Sequence, residues 1–359
     1  MNLDKNSLFF LENYINNFSP VSQEYKGQIL WLEYIKKYID QHYSDYYGNT
    51  VAIIKGNSNF KFVIEAHADE ISWYVNHISD DGFIYVIPNG GSDCMIAPSK
   101  KVLIHTKEKG LIKGVFGWPA IHFRRSNKEK IIPSYENIFI DTGFNNKKNL
   151  LKAGVSVGDI VTYEENFSVL NNNYYVGRAF DNRIGGFIIA EVAKLLSLEK
   201  ITLPFDLYIV NSVQEEIGLK GAKMIANKIN PDIAIITDVT HDTTTPMIDQ
   251  KRHGNIICGK GPVLTFAPSI HNILNKYIEN FSLKYKIPIQ KQACSYSTGT
   301  DTDSFAYTKN GIPSSLISLP LRYMHTTVEM IHISDVKNCI NLLFNVLKDF
   351  DINFNLKYF

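Results

Sequence analysis

From residue 173 to the C-terminus, the sequence alternates between apolar runs of strand length and segments with the apolar spacing of helices. The clearest run is Phe205–Val210, which is followed by a predicted helix from about Leu219 to Ile229 and by a second apolar run at Asp232–Thr237. Helices between strands favour a parallel sheet, because parallel neighbours need a crossover connection. We therefore predict an α/β fold with a mixed, mostly parallel sheet flanked by helices.

The first 72 residues predict two helices and two strands of the same domain. Apolar residues recur at helical spacing in two stretches, and we expect both apolar faces to pack into the core. They are Leu8, Leu11, Tyr14 and Ile15 in the first stretch, and Ile29, Leu32, Ile35, Tyr38 and Ile39 in the second. The strands are predicted at Val51–Ile54 and Lys61–Ala66, with a turn between them.

Between Trp73 and Asn172 the sequence changes to short β-type runs that are broken by glycines. This spacing predicts a small β-barrel or sandwich inserted into the larger domain. We therefore predict one domain from residues 1–72 and 173–359 and a second, β-rich domain from residues 73–172. The insert also carries a basic stretch, Arg124–Lys128, without interleaved aromatic residues, which predicts a solvated loop and not a nucleic-acid-binding patch.

The composition excludes several classes of function. The 359 residues include 37 basic and 36 acidic side chains, and the net charge of +1 provides no electrostatic footprint for nucleic acid or an anionic membrane. No apolar run is long enough to span a bilayer, and the N-terminal stretch does not resemble a signal peptide. The four cysteines lie far apart, without the spacing of a thiolate zinc site or a disulfide framework. We therefore expect a cytoplasmic protein with neither nucleic-acid nor membrane partners.

Ionisable side chains follow four of the predicted strands at the point where each strand ends. They are His67, the adjacent pair Glu215 and Glu216, Asp238, and His325. In open, mostly parallel α/β sheets, binding sites form outside the carboxyl ends of the strands. We therefore expect these side chains to meet at one edge of the sheet.

Two more carboxylates are candidates for the same edge. Asp181 lies at the start of a predicted helix, where it could cap the helix or join the site. Asp69 follows His67 by two residues, and alternate residues of an extended chain face the same way, so Asp69 can orient the His67 ring. Glu215 and Glu216 leave the chain in different directions, so one of them can bind a metal while the other transfers protons.

The donor set also restricts the cofactor. Two imidazoles and several carboxylates, without cysteine, suit zinc, cobalt or manganese at a hydrolytic site. If two metal ions lie about 3.5–4 Å apart, one carboxylate must bridge them. The residues themselves leave open which carboxylate does so.

Five segments carry a resemblance to a known family. They are His67–Glu70, Arg178–Arg183, Val213–Ala222, Asp238–His241 and Arg322–Thr326. In content, order and spacing they resemble the signature segments of the M42 family of metallo-aminopeptidases, which includes glutamyl and leucyl aminopeptidases and tetrahedral, self-compartmentalising peptidases. The resemblance covers nearly the whole chain, including the β-rich insert. It implies a zinc-peptidase-like fold whose insert serves oligomerisation, with a homo-oligomer, plausibly a dodecamer, as the expected state.

The resemblance also implies a role for each residue of the site. His67 and Asp238 would bind one metal ion, Glu216 and His325 the other, and Asp181 would bridge the two ions. Glu215 would be the general base and Asp69 would orient His67. The cofactors would be two divalent ions, zinc or cobalt, and the substrates would be peptides with a free N-terminus. A loop and an arginine next to the site are further expected to contact substrate, through Gly299, Thr300, Asp301 and Arg322.

Two other classes of function remain open at this point. A glycosidase of the endoglucanase type could use Glu215 and Glu216 as its acid and base, but adjacent residues are poorly placed to flank one glycosidic bond, and the histidines would have no role. A metal-binding assembly protein without catalytic activity would have no need of a general base next to its ligands. The predicted function is therefore hydrolysis of the N-terminal peptide bond by a metal-bridging water.

Overall fold

The structure is a computed structural model that describes residues 3–126 and 131–359. Its helices are α1 (Lys5–Asn16), α2 (Tyr25–Ile35), α3 (Ile121–Ser126), α4 (Lys147–Lys152), α5 (Phe180–Leu198), α6 (Lys220–Ile229), α7 (Gln250–His253), α8 (Asn272–Lys284), α9 (Thr302–Ala306) and α10 (Ile333–Lys348). None of these described helices is both long enough and apolar enough to cross a membrane. All four cysteines are free thiols, at positions 94, 258, 294 and 339.

The larger sheet has 11 strands. They are β1 (Gln41–Ser44), β2 (Thr50–Ile54), β3 (Lys61–His67), β10 (Ser168–Leu170), β11 (Tyr174–Gly177), β12 (Asp206–Ser212), β13 (Ile233–His241), β14 (Val263–Phe266), β15 (Gln290–Ala293), β16 (Ser314–Arg322) and β17 (Glu329–His332). The order β1-β2-β12-β3-β13-β16-β17-β11-β10 places β12, β3, β13 and β16 side by side, and these four strands run parallel. The predicted mixed sheet with a parallel centre is confirmed.

Side chains of the central strands point alternately to the two faces of the sheet and build a core on each face. In β3, Phe62 and Ile64 point to the face that is covered by α1, α2, α5, α8 and α10, whereas Val63 points to the face that is covered by α6 and α9. Successive side chains of a strand point to opposite faces, so a strand that is covered on both sides is apolar along most of its length. The continuous apolar runs of the sequence have this cause.

The remaining strands form a closed barrel with its own core. They are β4 (Ser72–Ile78), β5 (Ile84–Asn89), β6 (Lys101–Thr106), β7 (Gly110–Gly117), β8 (Phe139–Asp141) and β9 (Ile160–Tyr163), in the order β4-β5-β8-β7-β6-β9. Trp73 and Phe116 pack edge to face inside it. The barrel strands therefore end at Tyr163, and the predicted boundary at residues 172 and 173 falls inside the β10–β11 hairpin of the larger sheet.

Two expectations about local structure differ from the observed fold. The second N-terminal helix ends at Ile35, and Ile29, expected in the core, is exposed. Its buried face is instead set by Trp31, whose indole N–H donates to the carbonyl of Gly186, and by Gln28, whose amide donates to two backbone carbonyls. The start of the basic stretch lies in α3 and not in a loop, and residues 127–128 of that stretch lie outside the described residues.

The central strand predicts one stability effect. Phe62 is fully buried and contacts the rings of Phe205 and Phe350 at centroid distances of 5.0 and 5.1 Å. Phe62→Ala should lower the free energy of unfolding by about 3–5 kcal/mol, because the cavity adds to the lost burial. Urea unfolding followed by circular dichroism measures this. The control Tyr46→Ala, at a fully exposed ring, should change it by less than about 0.5 kcal/mol, and an equal effect of the two variants would contradict the packing described.

Candidate metal and catalytic site

The parallel centre of the sheet delivers the candidate residues to one edge. β12 pairs with β3 in a register that sets Ser212 opposite His67, so the Glu215–Glu216 turn begins beside the histidine. Asp238 is the sixth residue of β13 and not the residue after it, as the sequence predicted, because that strand stays paired with β16 as far as His241. His325 follows the end of β16 by three residues.

The ligand candidates form two groups that share one member. His67, Asp181 and Asp238 make up the first group, and Asp181, Glu216 and His325 make up the second; within each group the ligand atoms all lie within 4.8 Å of one another. Asp181 faces both groups through different oxygens. Its Oδ1 lies 3.2 Å from His67 Nε2 and its Oδ2 lies 3.3 Å from His325 Nε2. Each group offers an imidazole and two carboxylates, which is a donor set that suits zinc or a similar divalent ion.

Asp69 supports the site from behind. Its Oδ1 and Oδ2 accept the backbone N–H groups of Glu215 and Glu216 at 3.0 and 3.1 Å, and its Oδ1 lies 3.4 Å from His67 Nδ1. The side chain is fully buried. One carboxylate thus fixes the turn that carries both glutamates and, at the same time, faces the ring nitrogen of His67 that points away from the ligand group.

The electrostatics of the site reflect a surplus of buried carboxylates. Burial raises the pKa of Glu215 to about 10, and Asp301, Asp238 and Glu216 add to this rise. Burial also raises the pKa of Glu216, and it raises that of Asp238 well above the usual range. Buried carboxylates that repel one another are stabilised in their charged form by a nearby positive charge. The donor set therefore fits divalent cations.

The same carboxylates raise the pKa values of the two imidazoles, against the effect of burial. Burial by itself would lower the pKa of His325, but Asp181 and Glu216 raise it to about 11. Burial likewise opposes the positive charge of His67, whereas Glu215, Asp181 and Asp69 raise its pKa well above the usual value. Asp181, between the two rings, has a pKa that burial would raise but that His325 and His67 lower. These shifts show how closely the imidazoles and carboxylates are coupled.

A second layer of contacts, which the sequence did not reveal, holds the helix start that carries Asp181. Glu70 is buried and pairs with the guanidinium groups of Arg178 and Arg183. Asn182 donates to the carbonyl of Thr237 at 2.7 Å. Glu70, Arg178 and Arg183 lie within three residues of the predicted ligands His67 and Asp181 in the sequence. The sequence therefore held a signal for this contact, because arginine side chains are rarely buried unless they are paired with an acidic group.

The site opens into a cleft of about 700 Å³. Of the four predicted substrate contacts, Gly299 and Thr300 line this cleft. Asp301 is buried behind it, where it accepts a hydrogen bond from Ser212 at 2.8 Å, and Arg322 pairs with Asp242 at 2.8 Å. Neither Asp301 nor Arg322 is among the described residues that line the cleft, and their contact with substrate stays a prediction.

Comparison with known proteins identifies relatives of the whole chain. A family model described as M42 glutamyl aminopeptidase matches residues 48–342. The lysyl aminopeptidase of Pyrococcus furiosus is 33% identical over 325 residues, which are 89% of this chain and 90% of the relative. The solved structure of a TET aminopeptidase from a marine sediment archaeon of the Thaumarchaeota has a TM-score of 0.91 at 28% identity and covers 96% of this chain and 97% of that chain. The TET1 peptidase of Pyrococcus horikoshii, described as assembling into a tetrahedron or a large octahedral shell, has a TM-score of 0.84 at 26% identity and covers 96% and 99%.

Proposed function

Because this chain belongs to the M42 family and is an aminopeptidase of that family, we propose that it removes N-terminal residues with the help of two divalent metal ions, zinc or cobalt. The observation that carries the two-metal proposal is the position of Asp181, whose two oxygens face different ligand groups. His67 and Asp238 would complete one metal site, and Glu216 and His325 the other. When bound, such ions polarise the scissile carbonyl, lower the pKa of the attacking water and anchor the free amino group of the peptide.

The proposed general base is Glu215. It lines the cleft, its Oε2 lies 3.8 Å from His67 Nε2, and it belongs to neither ligand group. Its carboxylate would take the proton of the attacking water and then donate that proton to the leaving amine. Asp69 fixes the turn on which Glu215 sits, so that the base holds its position between the two proton transfers.

The glycosidase alternative is less well supported. A glycosidase acid and base must flank one bond, with their carboxyl groups about 5–10 Å apart and free of other tasks. Glu216 instead lies 3.4 Å from His325, within a group of ligand atoms, so only Glu215 is free for acid–base chemistry. A purely structural metal protein would leave the cleft and the base without a use.

Chelation separates these alternatives. We expect close to two zinc or cobalt ions per chain in the active protein, loss of peptidase activity in EDTA, and recovery when zinc or cobalt is added back. Elemental analysis and an aminoacyl chromogenic assay on the same sample measure both quantities. Peptidase activity that survives metal removal would refute the proposal, and metal content without hydrolysis of any aminoacyl substrate would favour the non-catalytic alternative.

The two central glutamates should behave differently when each is changed to glutamine. Glu215→Gln should keep both metals and slow turnover by about 10²–10⁴-fold, the usual contribution of a positioned general base. Glu216→Gln should weaken one metal site, so that added metal restores part of its rate. Steady-state kinetics and metal titration of both variants provide the test. If Glu215→Gln loses metal and Glu216→Gln keeps it, the two roles are reversed.

The lining of the cleft points to a class of N-terminal residue. Outside the ligands and Glu215, the described lining offers uncharged polar groups, including Thr240, Gln292 and Thr298, together with the carboxylate of Asp303 and without lysine or arginine. His241 also lines the cleft, but burial lowers the pKa of its imidazole, which is therefore neutral near pH 7. An acidic substrate side chain would find no cation among these residues. We therefore propose that the enzyme favours neutral or basic N-terminal residues over acidic ones.

Leucyl, lysyl and glutamyl p-nitroanilides compare these substrates directly. We expect kcat/KM for the glutamyl substrate to be at least about tenfold below the better of the other two, since an unpaired charge in a partly desolvated cleft costs more than about 1.4 kcal/mol. Lys220 is an exposed cation beside the cleft-lining Gly218 but is not itself among the described lining residues, so Lys220→Ala should leave the ratio unchanged and provides a control. A glutamyl substrate that is cleaved best would contradict the proposed preference.

The barrel is proposed to serve assembly into a homo-oligomer, plausibly a dodecamer, and the compartment is proposed to be cytoplasmic, in line with the free thiols. Trp73 pairs with Val161, so the two ends of the barrel lie side by side and residues 74–160 can be replaced by a short linker. Light scattering should show an oligomer for the full chain and a smaller species for this variant. An intact chain that is monomeric would contradict the proposal.

A further inference from the structure

Glu329 lies between the two loops that carry Asp181 and His325. It is the first residue of β17 and pairs with Gly177, the last residue of β11, four residues before Asp181. It also follows His325 by four residues, and only 2% of it is exposed. A glutamate this deeply buried needs hydrogen-bond partners.

Both oxygens of Glu329 accept backbone N–H groups of predicted metal ligands. Oε1 accepts the N–H of His325 at 2.9 Å, and Oε2 accepts the N–H of Asp181 at 3.1 Å. Neither N–H group has a backbone acceptor within a helix or a sheet. Asp181 lies in the first turn of α5, where backbone donors have no acceptor within the helix, and His325 has a left-handed φ of 60° in the loop between β16 and β17.

Asp69 makes the same kind of contact on the other side of the site, where it accepts the N–H groups of Glu215 and Glu216. Two buried carboxylates, Asp69 and Glu329, therefore hold the backbone of four of the site residues. Asp69 was recognisable from its position two residues after a histidine. Glu329 comes from a different strand, and only the fold brings it to Asp181.

We propose that Glu329 is a positioning residue that fixes the separation of Asp181 and His325 and so sets the metal affinity of the group formed by Asp181, Glu216 and His325. This inference rests on the proposed two-metal site. The effect is expected on affinity because both bonds restrain ligand-bearing backbone, and removal of a hydrogen-bond partner behind a ligand typically weakens metal binding about 10–100-fold. His67 and Asp238 make no hydrogen bond to Glu329, so the first group should change less.

Glu329→Gln tests this with little change in volume. The amide keeps one acceptor oxygen and turns its NH₂ group toward the other backbone N–H, so one of the two bonds is lost. Asp335 provides a matched control, because it is also fully buried and also accepts two backbone N–H groups, those of Gly259 and Gly261 at 2.6 and 2.7 Å. Asp335→Asn removes the same kind of bond at a place that carries no predicted ligand.

The experiment is a zinc titration of metal-free protein in competition with a chromophoric chelator, with thermal unfolding measured in EDTA. In wild-type protein we expect two zinc ions per chain. Glu329→Gln should lower the affinity for one ion by about 10–100-fold and the affinity for the other by a smaller factor. Asp335→Asn should leave both affinities within about threefold of wild type. Both variants should unfold at a lower temperature than wild type.

The outcomes distinguish the inference from the proposed function. Wild-type protein that binds no zinc would overturn the two-metal site itself. Wild-type protein that binds two zinc ions, with Glu329→Gln unchanged or altered no more than Asp335→Asn, would overturn the positioning role. If Glu329→Gln does not fold, Glu329→Asp replaces it, because aspartate keeps both acceptor oxygens but withdraws them by one methylene. This variant should still weaken the binding of one zinc ion. An unchanged zinc affinity would equally overturn the positioning role.

Discussion

Mutual repulsion among buried carboxylates is the constraint that the rest of the site depends on. Asp181, Glu216 and Asp238 are held within ligand distance of two imidazoles, and Glu215 stands beside them. Such a cluster is unfavourable in the folded chain unless backbone donors, histidines or cations oppose the charge. In this structure backbone donors and histidines oppose the charge, and the two ligand groups have an arrangement that is suited to cations. Because such a cluster destabilises the folded chain in the absence of cations, the free energy of metal binding contributes to the stability of the fold.

The sheet and the loops divide the task of building this site. Parallel pairing of β12, β3, β13 and β16 brings the strand ends together and fixes their order. The final placement comes from buried carboxylates that accept backbone N–H groups: Asp69 at the glutamate turn and Glu329 between Asp181 and His325. Among the described residues, the β-rich insert supplies no member of either ligand group, although the carbonyl oxygen of its Gly91 lies 3.2 Å from His325 Nδ1.

The sequence predicted much of this because apolar runs and ionisable residues alternate in it so regularly. Continuous apolar strands indicated a sheet that is covered on both faces, and their polar ends indicated the edge where a site would form. The contacts that the sequence did not predict are tertiary. Asp301 accepts a hydrogen bond from Ser212, Arg322 pairs with Asp242, and the glutamate behind Asp181 is supplied by a strand distant in sequence. No local pattern encodes these pairings.

The most direct measurement is diffraction from zinc-loaded crystals, with anomalous data collected on both sides of the zinc absorption edge. We predict two anomalous peaks per chain, each within about 2.0–2.2 Å of its ligands, with one oxygen of Asp181 directed at each peak. His67 and Asp238 should bind one ion, and Glu216 and His325 the other. A single peak, or two peaks of which only one contacts Asp181, would contradict the bridging role on which the proposed mechanism stands.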